Sequence, residues 1–88
     1  MKIKKITWDT NTVAHIARHS VEPEEVEEAC FAGKPFIFKA RENRYIALGQ
    51  TENGRYLTII FQHLEQNRAK VITARAMSEA ERKIYKRR

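Results

Sequence analysis

The sequence predicts an α+β domain, and three observations carry that expectation. Helix-spaced apolar residues fill the first third of the chain, the spacing changes to a period of two after Pro35, and a capped helical pattern returns at Ser78. The expected order is one strand, two helices, a three- to four-stranded antiparallel sheet and a C-terminal helix, with the helices packed on one sheet face. Eighty-eight residues suit a single domain, 1–88, built on one core. At 42% hydrophobic and 32% charged, with three Gly and two Pro, the composition excludes collagen-like, low-complexity and wholly disordered chains.

Residues 2–8 alternate charged and apolar side chains imperfectly and read as a short edge strand protected by its lysines. Asp9 or Thr10 offers an N-cap, and Val13, Ile16 and Ala17 form the narrow apolar stripe of a short helix ending near His19-Ser20. A second helix follows, with Pro23 in its first turn, Glu24 and Glu25 at its positive dipole end, and Val26, Ala29 and Cys30 as its stripe; Gly33 and Pro35 end it. Residues 36–40, 44–50 and 55–62 then read as strands, the last two joined through Asn53-Gly54, a strong hairpin signal. Gln66-Asn67 makes another turn before a largely buried strand at 68–76. Ser78 and Glu81 form a capping box for the last helix, with Ala80 and Ile84 on its expected buried side and Lys86, Arg87 and Arg88 at its negative end.

No apolar run approaches the ~18 residues of a membrane span, and Trp8-Asp9-Thr10-Asn11 stands where a secretion signal would need an apolar stretch. No membrane association and a cytoplasmic location are expected. Cys30 is the single cysteine, so it has no partner for a disulfide or a CxxC motif, which fits a reducing compartment. Packing must supply the stability.

Net charge is +6, and its distribution says more than its size. Residues 9–31 sum to −5, whereas residues 32–88 carry thirteen basic and five acidic groups, +8. Such segregation suits a molecule that meets a polyanion on one side. Arg44, Arg55, His63, Arg68, Lys70 and Arg75 fall on or between the three later strands, interleaved with Tyr45, Tyr56 and Phe61, and Tyr85 follows in the last helix. Arg75 stands out, because it ends an apolar strand just before a capped helix, where a loop and helix start can hold a phosphate. Strand parity restricts the set. An unbulged 68–76 strand puts Arg75 on the face opposite Arg68 and Lys70, and only a bulge or an edge position brings them together.

His15 and His19 have the i, i+4 spacing of paired metal ligands, yet no third ligand is evident, so no metal or other cofactor is expected. Cys30 on an apolar stripe reads as a small buried hydrophobe.

Several segments together resemble the BrnT toxins. They are Trp8-Asp9; His15-Ile16-Ala17-Arg18-His19-Ser20-Val21; Arg44-Tyr45-Ile46-Ala47-Leu48-Gly49-Gln50-Thr51 with Gly54-Arg55; and Val71-Ile72-Thr73-Ala74-Arg75-Ala76-Met77, then Glu81-Arg82 and Tyr85. The match runs in order through nearly the whole chain, with Ser20 standing where that family usually shows Gly. The resemblance implies a RelE/ParE-like microbial ribonuclease fold and a toxin of a type II toxin-antitoxin pair. It implies an endoribonuclease that cleaves RNA, free or on the ribosome, and so inhibits translation. Its antitoxin would be a neighbouring DNA-binding protein of ribbon-helix-helix or similar kind, and His15 and His19 would be structural or face that antitoxin.

Metal-free RNA cleavage needs a base for the 2′-hydroxyl, cations for the extra charge on phosphorus and an acid for the leaving 5′-oxygen. Arg75 with Arg68 or Lys70 are the candidate phosphate clamps, since a guanidinium fork fits two phosphate oxygens. His63 or Glu65 could be the base and Tyr85 or His63 the acid. Arg44, Arg55, Arg68, Lys70 and Arg82 complete the expected RNA-binding set. The competing reading is a module without catalysis that binds nucleic acid or a partner protein through the same basic face.

Overall fold

Asp9 starts the first helix two residues after the first strand ends: its Oδ1 accepts the Thr12 N–H at 2.7 Å as the N-cap. A computed structural model describes residues 2–88. In it β1 (Lys5–Thr7) is followed by α1 (Thr10–Ala17) and α2 (Pro23–Glu27). Then come β2 (Phe36–Lys39), β3 (Arg44–Gln50), β4 (Tyr56–Leu64), β5 (Arg68–Ala76) and α3 (Glu79–Arg87). The α+β order therefore holds.

The sheet has five strands in the order β1-β5-β4-β3-β2, one more than the largest sheet expected. Strands β2 to β5 form the antiparallel meander, and β1 adds parallel to β5, with Ile6 opposite Ala69. Between α1 and α2, Ser20 adopts φ 60°, the left-handed conformation that glycine takes most easily. Past Glu27 the helix widens into a π turn over Glu28–Ala32, which buries Ala29 and Cys30 against the sheet. Here Gly49 is required: a Cβ on it would stand 2.7 Å from the Ala29 carbonyl oxygen.

Two expectations about the helices are corrected. The helices do not share one sheet face. Ile16 of α1, Val21 after it, and Val26 of α2 pack with Ala47, Leu57, Ile59, Phe61, Val71 and Ala74 on one side. Tyr85 of α3 and Met77 pack with Leu48 on the other, beside Phe36, Phe38, Ile46 and Tyr56. The reason is visible in Ile46-Ala47-Leu48 and Leu57-Thr58-Ile59-Ile60-Phe61: both parities are mostly apolar, so each face needs a cover. In α3, moreover, Ala80 and Ile84 are exposed, Ile84 at 45%, and the inward line runs through Glu81 and Tyr85. Those two side chains reach partners on β3 and β4 that the sequence spacing alone does not show.

A bulge in β5 decides where the cations of the last strand point. Ile60 pairs with Thr73 but Phe61 pairs with Val71, which leaves Ile72 as the extra residue. Arg75 thus stands opposite Thr58, and Lys70 opposite Gln62. Thr58 and Gln62 are four apart on β4 and point to the same side. The parity conflict disappears, and Arg75, Lys70 and Arg68 all belong to the α3 side of the sheet.

Candidate functional site

On that side, the register sets residues out in rows across the strands. Phe36, Leu48, Thr58 and Arg75 form the row beside α3. Phe38, Ile46 and Ile60 form the next, followed by Arg44, Gln62, Lys70 and Thr7, then Leu64, Arg68 and Lys5. The α3 cluster covers the first of these and borders Phe38 and Ile46 of the second, while Arg44, Arg68, Lys70 and Lys5 beyond it are exposed. A depression of about 470 Å³ opens there, lined by Ala40, Arg41, Glu42, Arg44, Ile46 and Ile60. At the α3 end, the Arg82 guanidinium lies 4.4 Å from the Tyr56 ring centre and the Lys86 ammonium 5.5 Å from it.

Arg75 is held in place. Its Nη1 donates to Glu81 Oε1 at 2.7 Å and its Nη2 to Glu81 Oε2 at 2.9 Å, with a further Nη1 bond to the Ala76 carbonyl at 3.3 Å. Glu81 Oε1 also accepts the Ser78 N–H at 2.8 Å and the Thr58 hydroxyl at 2.9 Å. The Arg75 hydrogen bonds first, then those from Ser78 and Thr58, outweigh burial and hold the Glu81 carboxyl down to about 2. Hydrogen bonding to Glu81 likewise raises Arg75 above its ordinary value. The Arg75 side chain nevertheless stays 40% exposed.

The other residues singled out from the sequence divide between places. Tyr85 shares the Arg75 layer, one turn beyond Glu81, but is buried with its ring edge-on to Tyr56 and the Arg88 guanidinium 3.7 Å from its centre. His63 lies opposite Ala69 on the far side of the sheet, beside Tyr45, and its buried Nε2 lacks a hydrogen-bond partner among the described residues. Glu65 follows the far end of β4, seven residues beyond the partner of Arg75, or roughly 20 Å at strand spacing. The four proposed catalytic residues therefore do not form one cluster.

Arg55 departs from the RNA-binding set for a plain reason: its donors are engaged on the side of α1 and α2. Nη1 donates to the Ser20 carbonyl at 2.5 Å and to both Glu25 oxygens at 3.1 Å, and Nη2 reaches the His19 carbonyl at 3.5 Å. His15 and His19 stack edge-to-face at 5.3 Å, His15 Nε2 lies 3.1 Å from the Thr73 hydroxyl, and no group of three metal-ligating side chains occurs among the described residues. Burial, then the Glu27 charge, pushes the Cys30 thiol up to about 12, so it is no nucleophile.

In the sequence Glu81 reads as a helix cap and as part of the family pattern, and neither Thr58 nor an Ile46–Ile60 floor is marked as a site feature. The available signal for Glu81 was its spacing: an acid six residues past Arg75, at the start of a helix that must turn back over the strand.

No helix among the described residues is long and apolar enough to cross a membrane. No curated protein matches the sequence. Among solved structures, the ribonuclease toxin BrnT of Brucella abortus superposes with a TM-score of 0.68 over 85% of this chain and 97% of its own, at 24% identity, a likeness that establishes the fold. A family model described as the ribonuclease toxin BrnT of type II toxin-antitoxin systems matches residues 8–81. With the Trp8-Asp9, Thr73-Ala74-Arg75 and Glu81 segments all inside that match, the chain belongs to the BrnT family of ribonuclease toxins, whose substrate is RNA and whose partner is an antitoxin.

Proposed function

We propose that this chain is an endoribonuclease that binds single-stranded RNA across the α3 side of the sheet and cleaves it at Arg75, inhibiting translation in the cytoplasm. The observation that carries this reading is the β5 bulge, which gathers Arg75, Lys70, Arg68 and Arg44 around an apolar centre. Four cations of the later strands, Arg44, Arg68, Lys70 and Arg75, share this surface, while Glu25 of α2 holds Arg55 in the opposite layer. A phosphate backbone can follow the row of cations as a base settles on Ile46 and Ile60.

In the proposed reaction the 2′-oxygen loses its proton and attacks phosphorus, and the 5′-oxygen leaves with a proton, ending in a 2′,3′-cyclic phosphate and a 5′-hydroxyl. Arg75 stabilises the charge that develops on the phosphoryl oxygens, so no metal is required. Lys70, Arg68, Arg44 and Arg82 hold the flanking backbone. Tyr85 is retained as the proton-transfer candidate because it shares the layer with Arg75; His63 and Glu65 stand away from it.

We propose further that the antitoxin is a small DNA-binding protein, of ribbon-helix-helix or similar kind, that covers this basic face. Labelled RNA incubated in EDTA, with and without ribosomes, tests the whole reading. Cleavage by the wild-type protein and none by Arg75→Ala is the expected result. RNA that is bound with a steep salt dependence but recovered intact in both conditions would mean a binding module instead.

A further inference from the structure

We infer that Glu81 is the positioning residue of Arg75: it grips the Nη1–Nη2 end of the guanidinium and presents the Nε–Nη2 edge to the phosphodiester. The inference rests on Arg75 being the phosphate-binding group.

A guanidinium has five N–H donors and two edges that can each hold a pair of oxygens. Glu81 takes the end, through Nη1 at 2.7 Å and Nη2 at 2.9 Å, and the Ala76 carbonyl takes the other Nη1 hydrogen. Nε–H and the second Nη2–H have no partner among the described residues. They lie side by side on one edge, in the arrangement that accepts two phosphate oxygens.

Glu81 is built for more than a helix cap. A capping box needs only the Ser78 N–H on the carboxylate and the Glu81 N–H on Ser78 Oγ, and both are made, at 2.8 and 3.2 Å. The hydroxyl of Thr58, which is fully buried, adds a third anchor from β4 at 2.9 Å. Oε1 is thereby fixed by a helix and a strand together, while Oε2 has Arg75 as its sole partner among the described residues. A flexible arginine is converted into an oriented one, so that less of its rotamer freedom remains to be lost as charge develops on the phosphoryl oxygens in the transition state.

Glu81→Gln separates this role from the cap. Glutamine serves equally at the third position of a capping box, and its carbonyl can still accept from Ser78 and Thr58. Its amide then meets the Arg75 donors where Oε2 was. The maximal single-turnover cleavage rate is expected to fall about 10- to 100-fold with the half-saturating protein concentration changed by no more than about twofold. The thermal midpoint should fall because the Arg75–Glu81 ion pair is lost, so the rates are compared per folded molecule. Thr58→Val, which removes one anchor and leaves charge and cap untouched, should lower the rate severalfold and carries the test if Glu81→Gln does not fold. An unchanged rate overturns the proposal, as does a loss confined to half-saturation. Faster cleavage overturns it too, because Glu81 would then be masking Arg75. Arg75→Ala run beside them separates the two levels: full cleavage by that variant removes the site itself, whatever Glu81 does.

Discussion

Two arginines in this protein meet a glutamate at the third position of a capped helix: Arg55 meets Glu25 in α2, and Arg75 meets Glu81 in α3. In each helix the glutamate also accepts the N–H of its own N-cap residue, from Glu22 to Glu25 at 3.0 Å and from Ser78 to Glu81 at 2.8 Å. The pairs differ in what else surrounds the guanidinium. Arg55 is drawn by the carbonyls of His19 and Ser20 into the bend between α1 and α2, so its hydrogen bonds tie the β3–β4 hairpin to the helical layer. Arg75 keeps one edge free and looks along a sheet face lined with other cations. The same contact is a clamp in one place and a tool mount in the other, and the neighbours decide which.

The strongest way to break this contrast is Arg75→Ala. Cleavage should fall about 10²- to 10³-fold, the loss typical of removing one donor to a developing oxyanion, while the fold survives because the side chain is 40% exposed and Glu81 keeps its bonds from Ser78 and Thr58. Growth arrest on expression should be relieved accordingly, with circular dichroism showing a folded protein. Arg55→Ala should do the reverse. Losing a guanidinium that joins Glu25 to two carbonyls should cost about 1–2 kcal/mol in a urea titration, yet the cleavage rate per folded molecule should stay at the wild-type value. A catalytic defect in that variant would erase the distinction.

Smaller effects sharpen it. Replacing Lys70, Arg68 or Arg44 by Ala should weaken RNA binding and reduce the slope of log affinity against log salt by about one unit each. Arg55→Ala should leave that slope alone. Last comes the pH dependence of stability: the contribution of Glu81 is complete at neutral pH and is lost only in acid. Its carboxyl sits at about 2 in the folded chain and near 4.5 when unperturbed, so the unfolded chain takes up the proton first. The stabilisation is therefore complete above about 4.5 and is lost as pH falls toward 2. Glu81→Gln should flatten the stability profile across that window.

Acidic and basic halves of the sequence also turn out to have different explanations. Three glutamates of α2 and the π turn after it serve internal partners: Glu25 takes Arg55, Glu27 accepts the Trp8 indole N–H at 3.0 Å, and Glu28 accepts the Glu52 N–H at 3.2 Å. They bind the helix to β1 and to the hairpin. Most of the later cations have no such partner, and in the proposed reading those on the opposite face are neutralised by RNA.

Local patterns in the chain determined the elements, because each depends on neighbours within a few residues. Asp9 and Ser78 mark helix starts through their own side chains, Asn53-Gly54 sets the hairpin, and the bounds 44–50 and 68–76 follow from alternation ended by turn residues. The family pattern was equally legible, being carried by residue identities in order. Tertiary structure alone decided the faces. A bulge at Ile72 depends on how β4 and β5 pair across the sheet, and one extra residue moves Arg75 to the side of Lys70 and away from His63. It alone also decided that α3 crosses to the far face and lays Glu81 on Arg75. The sequence around Arg75, a strand end before a capped helix, singles it out, but that Arg55 is enclosed while Arg75 keeps one edge free arises from which layer each one is folded into.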